Sequence, residues 1–208
     1  GFNSPSFGVI LKEYFQSGSA RIDLPAGDYD ILVSRGPEFS TARSRINIQP
    51  AKTVRRDLQI AQIVDSRDWT SIDYHVHGVQ SFDGNVSHYD RALSAAGEHL
   101  EVISTSDHDA ITDLRPKLRD MNLGKFVAAQ VGTEITTIEA GHFLGFPIST
   151  DFRQPFGNPI DWYGLTPASL FDLIYEKETD SGLPMIAVAH PRASIFGYFD
   201  QFGINPLN

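Results

Sequence analysis

The residues best equipped for chemistry begin at Asp73-Tyr74-His75-Val76-His77. Ile72, Tyr74 and Val76 alternate with Asp73, His75 and His77, the period-2 pattern of a β-strand. Successive side chains on a strand face opposite ways, so His75 and His77 share a face, about 6–7 Å apart along it. Two neutral imidazole nitrogens so placed can grip one metal ion, each at about 2.0–2.1 Å. A lone His-x-His pair is more often two surface or hydrogen-bonded histidines, so the other polar residues decide. Asp107 and His108 end one apolar stretch, Glu134 a second and His190 a third, while His142 opens or lies within a fourth. Five of the seven histidines hold such positions; His88 and His99 do not. Structural histidines have no reason to collect at strand ends of one polarity, whereas a β/α barrel builds its site there.

Histidine and carboxylate donors without cysteine suit Zn²⁺, Mn²⁺ or Fe²⁺. One carboxylate can bridge two ions, and Glu134 is the candidate. Two or more ions about 3.5–4 Å apart lower the pKa of a shared water and clamp the attacking and leaving oxygens of a phosphoryl or acyl transfer. Asp107 and Asp109 flank His108 and read as orienting groups or loop caps. Arg192 offers a fork of donors for a substrate oxyanion, or one half of a salt bridge. No Gly-x-Ser-x-Gly elbow and no cysteine occur, so no side-chain nucleophile is implied. His88, just after a helix-capping serine, reads as solvated, and His99 as a junction residue without a chemical role. Trp162, Tyr163, Tyr198 and Phe199 can line a pocket mouth or pack under a loop.

The elements that must position these groups fall into two regions. Residues 1–64 read as a small antiparallel β-sandwich, with short strands at 8–15, 20–24, 29–33, 45–48 and 53–60. Residues 61–70 lead into a second region, 65–208, where strands alternate with helices and predict a parallel sheet in an α/β domain. Ser87 caps a helix to about Glu98. Thr112 or Asp113 opens another, with Pro116 in its first turn, and Gly124 stops it. Thr166-Pro167 opens a third, with Leu170, Leu173 and Ile174 on one stripe, ending near Ser181-Gly182. Apolar strands are expected at 100–105, 126–131, 141–146 and 185–189, and residues 194–208 show no clear element.

Composition narrows the classes of partner. The 208 residues carry a net charge of −9, with no run of Lys and Arg, so the footprint for nucleic acid or an anionic membrane is missing. No apolar run approaches the roughly 18–20 residues of a spanning helix. Zero cysteines exclude a disulfide framework and suit either side of a membrane. The opening Gly-Phe-Asn-Ser has neither initiator Met nor signal pattern and reads as processed, tagged or truncated.

Two resemblances rest on quoted residues. The stretch Ile22-Asp-Leu-Pro-Ala-Gly-Asp-Tyr-Asp-Ile-Leu-Val33 resembles the Leu-Pro-x-Gly-x-Tyr turn of carboxypeptidase-regulatory-like sandwich domains. Asp73-Tyr-His-Val-His77, Thr105-Ser-Asp-His-Asp109, Gly132-Thr-Glu-Ile-Thr136, Gly141-His142 and Ala189-His-Pro-Arg192 resemble, in order, the signatures of the PHP (polymerase and histidinol phosphatase) family. Ser81-Phe-Asp83, Ile111-Thr-Asp113, Gly141-His-Phe143 and His190-Pro-Arg192 are similar to its carbamate-hydrolase-like branch. The resemblance implies a distorted seven-stranded β/α barrel of the TIM-like kind. It implies that His75 and His77 hold one metal, Asp83 and His108 a second, and His142 and His190 a third, with Glu134 bridging.

Two or three divalent ions (Zn, Mn or Fe) are therefore expected. The expected activity is attack of metal-bound hydroxide on a small-molecule phosphoester, with Glu134 and Arg192 taking part. The alternatives are a carbamate, amide or carboxyl ester as substrate, and a non-catalytic scaffold with a vestigial site. A DNA exonuclease role is disfavoured by the charge. The family's late Asp-x-His motif is not found after His190, so the barrel reads as incomplete and the chain as cut at both ends. An open barrel leaves an unpaired edge, and a homodimer through it is expected.

Overall fold

The structure, a computed structural model, describes residues 9–193 and 195–205. In the first region two strands form, β1 (Gly27–Val33) and β2 (Ala42–Ile48), paired antiparallel with Gly27 opposite Ile48. Alternation sends Tyr29, Ile31 and Val33 to a half-buried face with Ile46, and Asp28 and Asp30 to solvent with Arg43 and Arg45. Residues 9–15, 20–24 and 53–60 are irregular, and Gly8 of the first expected strand lies outside the described residues. These stretches are largely exposed and, among the described residues, have no neighbouring strand to take up their backbone donors and acceptors. Among the described residues this region is one two-stranded sheet.

The second region is mixed α/β. Strands β3 (Ile72–Val76), β4 (Val102–Thr105) and β5 (Ala128–Gln130) form a parallel sheet in that order. Helices α1 (His88–Gly97) and α2 (Arg115–Asp120) supply the crossovers. Strands β6 (Thr133–Thr136), β7 (His142–Phe146) and β8 (Met185–Val188) form an antiparallel sheet, with α3 (Pro167–Tyr175) before β8 and a short α4 (Tyr198–Gln201) after it. The parallel sheet expected from strand–helix alternation thus covers only three strands. The connection from β6 to β7 is too short for a parallel return, which needs a crossover of about a dozen residues. None of the three sheets closes on itself among the described residues.

The helix ends follow local chemistry. The Ser87 hydroxyl accepts the Asp90 N–H at 3.1 Å, and α1 ends with the Leu100 N–H on the Ala95 carbonyl across His99, which takes φ 61°. α2 is preceded by Leu114, not by a polar cap, because the Thr112 hydroxyl donates to Asp107 and the Asp113 carboxylate accepts from Arg115. Thr166 caps α3 as expected, accepting the Ser169 N–H at 3.2 Å. α3 stops at Tyr175, before Ser181-Gly182, where Thr179 and Gly182 close a turn of their own.

Three apolar contacts matter for the site. Ala92 and Ala95 of α1 pack with Val76, Ile103, Leu114 and Leu118 beneath the parallel sheet. Ile135, Phe143, Leu170 and Ile174 fill the far side of the antiparallel sheet. Between the sheets, Tyr74 stacks on Phe146 at 4.2 Å, beside Leu144 and Ala189. The end of α1 also receives the first region. Tyr14 and Lys12 contact the Glu98 carboxylate, and Phe39 meets the His99 ring edge-on at 5.0 Å. A Cβ at Gly97 would lie 2.3 Å from the Tyr14 ring, so the two surfaces touch there.

Candidate metal centre

The backbone brings the polar residues together in three steps. The β3–β4 register shifts between Asp73 and Val76, and this irregularity lets the His75 and His77 rings approach to 5.0 Å. Beyond β4, the chain pairs with β6: the Asp109 N–H donates to the Glu134 carbonyl at 3.0 Å, and the Glu134 N–H to the Asp107 carbonyl at 3.2 Å. In the second sheet Thr136 lies opposite His142 and Glu134 opposite Leu144, so all four share one face. Ile135 and Phe143 take the other face and anchor it in the core. His190 follows β8 at φ 29°, in the left-handed region.

Glu134 is the hub. Its side chain is 0% exposed, and its two oxygens face different histidines. Oε2 lies 3.0 Å from His75 Nε2 and 3.1 Å from His77 Nε2. Oε1 lies 2.9 Å from His142 Nδ1 and 3.0 Å from His190 Nε2. His108 Nδ1 is 3.5 Å from Oε2, and its Nε2 is 3.4 Å from Asp83 Oδ2. Asp83, 49% exposed, also approaches His77 Nδ1 at 3.6 Å, on the solvent side.

Burial alone would push the Glu134 carboxyl up; the hydrogen bonds from His142, His75 and His77 outweigh it and hold the group well below the usual carboxylate range. The hydrogen bond to Glu134 in turn raises His77, against its burial. Burial lowers His108, with the attraction of Glu134 opposing it and His77 adding to it.

The donor set fits a divalent cation. Ligand atoms of three groups lie within 4.8 Å of one another: His75, His77 and Glu134; His77, Asp83 and His108; His108, Glu134 and His142. His142 Nε2 is buried without a hydrogen-bond partner. His190 falls outside these groups, although it shares Glu134 Oε1 with His142. An ion taking these nitrogens and oxygens would replace contacts between a buried carboxylate and imidazoles, which calls for no new polar group.

No family model matches the chain, and no curated protein does either. Among solved structures it is similar to a two-domain protein from Bacteroides vulgatus ATCC 8482 containing a predicted PHP-like metal-dependent phosphoesterase, at TM-score 0.45 and 22% identity. The alignment covers 61% of this chain and 36% of that one. This chain therefore spans about a third of that protein's length.

Around the cluster, Asp107 accepts the Gly78 N–H at 2.6 Å and the Thr112 hydroxyl at 2.8 Å. Asp109 accepts the Thr136 N–H and the Trp162 indole N–H at 3.1 Å each, joining its loop to β6 and to the segment before α3. Arg192 does not join the cluster. Its guanidinium donates to Asp200 at 3.2 Å and to the Ile204 carbonyl at 2.9 Å, so it forms one half of a salt bridge. His88 departs from its expected solvated state, because helix α1 turns it inward against Gly78 and leaves its Nε2 buried and unpartnered. His99 pairs with Glu38 at 3.3 Å, a contact between the two regions.

The sequence alone points to no role for Ser81, Thr136 or Arg91. The Ser81 hydroxyl lies 2.8 Å from His77 Nδ1 and accepts the His108 N–H at 2.8 Å. Arg91 donates to the His77 carbonyl. Thr136 had a legible signal: it stands two residues past Glu134 on a strand, hence on the same face. Phe82, 81% exposed, stacks on the His108 ring at 4.5 Å, and Phe196 on the His142 ring at 5.1 Å.

Proposed function

We propose that this chain is a metal-dependent hydrolase of the PHP type acting on phosphoesters. The observation that carries the reading is the buried Glu134 carboxylate, with His75 and His77 on one oxygen and His142 and His190 on the other. A carboxylate shared in this way suits a bridge between two divalent ions, and Asp83 with His108 suits a third. Bound there, Zn²⁺, Mn²⁺ or Fe²⁺ would supply Lewis acidity, lowering the pKa of water and offsetting charge on the scissile oxygens.

The chain's own residues do the rest. His75, His77, His142 and His190 would supply ring nitrogens from two sides of the carboxylate. Glu134 stays ionised through the same contacts that keep it buried. Asp107 fixes the Gly78 backbone beside His77, and Ser81 ties the loops of His77 and His108 together. The exposed side of Asp83 leaves a solvent path for a small-molecule substrate. The motif likeness to the carbamate-hydrolase-like branch makes carbamates and carboxyl esters the second substrate class. A TIM-like barrel arrangement of these strands, residues 1–64 as an accessory sandwich, and pairing of two copies through an open sheet edge belong to the same proposal.

The test is elemental analysis of the purified protein, followed by turnover of p-nitrophenyl phosphate, an aryl carbamate and an aryl carboxyl ester with added Mn²⁺ or Zn²⁺. Phosphate ester turnover that His75→Ala abolishes supports the reading. Turnover of the carbamate or carboxyl ester alone moves the assignment to the second class. A metal-free protein, inert with added ions and unchanged by His75→Ala, overturns both.

A further inference from the structure

β3 ends at Val76, whose carbonyl accepts the Ser106 N–H at 2.9 Å from the segment after β4. His77 lies one residue beyond the strand. The peptide group between His77 and Gly78 is held by two charged side chains. The Arg91 guanidinium donates to its carbonyl oxygen, and the Asp107 carboxylate accepts its N–H at 2.6 Å. The two come from different places in the fold, Arg91 from α1 and Asp107 from the turn that follows β4.

A trans peptide is planar, and its C=O and N–H point to opposite sides. A cation on the oxygen and an anion on the N–H therefore grip one plane from both sides, each through a charge-assisted bond. Turning that plane would strain both bonds at once. Asp107 is buried, and its other oxygen takes the Thr112 hydroxyl at 2.8 Å, so it cannot follow a moving peptide. Arg91 is half-buried; burial lowers its pKa, and the attraction of the Asp107 and Asp73 carboxylates opposes that. Asp73 in turn accepts the His75 N–H at 3.0 Å. The guanidinium thus faces both carboxylates that hold the main chain on either side of His77.

The plane so fixed adjoins the Cα from which the His77 ring projects. That ring stands 3.1 Å from Glu134 Oε2 through Nε2 and 2.8 Å from the Ser81 hydroxyl through Nδ1. His77 belongs to two of the three groups able to hold a cation, one with His75 and Glu134 and one with Asp83 and His108. A rotation of the peptide would move its ring relative to both.

We infer that Arg91 is a positioning residue that, opposed by Asp107 across the His77–Gly78 peptide, fixes where His77 presents its ring to a cation. This deepens the metal-centre reading and rests on it for the effect on affinity, though not for the grip on the peptide.

Two measurements keep the grip and the metal reading apart. The first is amide hydrogen exchange, followed by NMR in metal-free protein. Arg91→Gln is expected to speed exchange at Gly78 by about 10-fold or more, while Ile103 within β4 exchanges as in wild type. The second is Zn²⁺ affinity by competition with a chromophoric chelator. Arg91→Gln is expected to weaken binding about 10–100-fold, and Arg91→Lys, which keeps a charged donor, to restore most of the loss. If Arg91→Gln does not fold, Asp107→Asn removes the charge from the other side of the same peptide and is expected to shift Gly78 exchange and Zn²⁺ affinity in the same directions. Unchanged exchange at Gly78 overturns the inference. So does an acceleration that Ile103 shares equally, or an Arg91→Lys protein as weak as Arg91→Gln. Wild-type protein that binds no Zn²⁺ refutes the metal-centre reading, and Gly78 exchange then decides the grip by itself.

Discussion

Glu134 concentrates more consequence than any other side chain in the molecule. It is a buried charge stabilised only by its neighbours, and each neighbour is a candidate ligand. Glu134→Gln keeps the shape and removes the charge. It is expected to reduce bound metal to less than one equivalent by elemental analysis and to lower turnover by at least about 100-fold, since several kcal/mol of charge stabilisation go with the ions. Proton and metal compete for the same nitrogens. The hydrogen bond to Glu134 raises His77, so His77 holds its proton to higher pH than an ordinary imidazole. Metal affinity is therefore expected to be full above the His77 titration and to fall as pH drops through it, which Zn²⁺ titrations across the pH range will check. Glu134, Asp83 and the five clustered histidines were legible in the sequence because each sits in a short motif. Ser81 and Thr136 were not assigned roles, because a hydroxyl gains a role only from the segments folded against it.

At the scale of elements, the caps and the turns carry the fold. Ser87→Ala removes the side-chain acceptor for the Asp90 N–H and is expected to cost about 1 kcal/mol, read as a lower denaturation midpoint. Gly132 marks the break between β5 and β6. A Cβ there would come within 2.7 Å of both the Ser104 hydroxyl and the Thr105 carbonyl. Gly132→Ala is accordingly expected to destabilise by roughly 1–3 kcal/mol through overpacking and, by shifting β6, to weaken metal binding. Calorimetry and metal titration of the variant will measure both. Helices α1 and α3 were legible through Ser87 and Thr166. The antiparallel sense of β6, β7 and β8 was not, since a period-2 pattern carries no direction. The expected strands at 20–24 and 53–60 failed for a related reason: apolar alternation permits a strand, but only a partner makes one.

At the scale of the whole molecule, α1 touches both the centre and the first region. Arg91 holds the His77 carbonyl from one turn, and Gly97, Glu98 and His99 seat Tyr14, Lys12, Glu38 and Phe39 from the last. Gly97→Ala is expected to expel the Tyr14 ring, whose nearest atom would lie 2.3 Å from the new methyl. Limited proteolysis should then cut the segment around Tyr14 faster, while the α/β region stays resistant. The seam joins residues far apart in sequence, which is why composition alone could suggest two regions but not where they meet. A chain without cysteine cannot staple its sheets covalently. Ions gripping His75, Glu134 and His190 together would do so without a covalent bond, tying the parallel sheet to the antiparallel one across more than half of the sequence. Closing a loop of that length with a disulfide is worth on the order of 5 kcal/mol through the unfolded state. The proposed catalytic centre would thus double as a cross-link, and stripping its ions would first loosen the contact where Tyr74 stacks on Phe146.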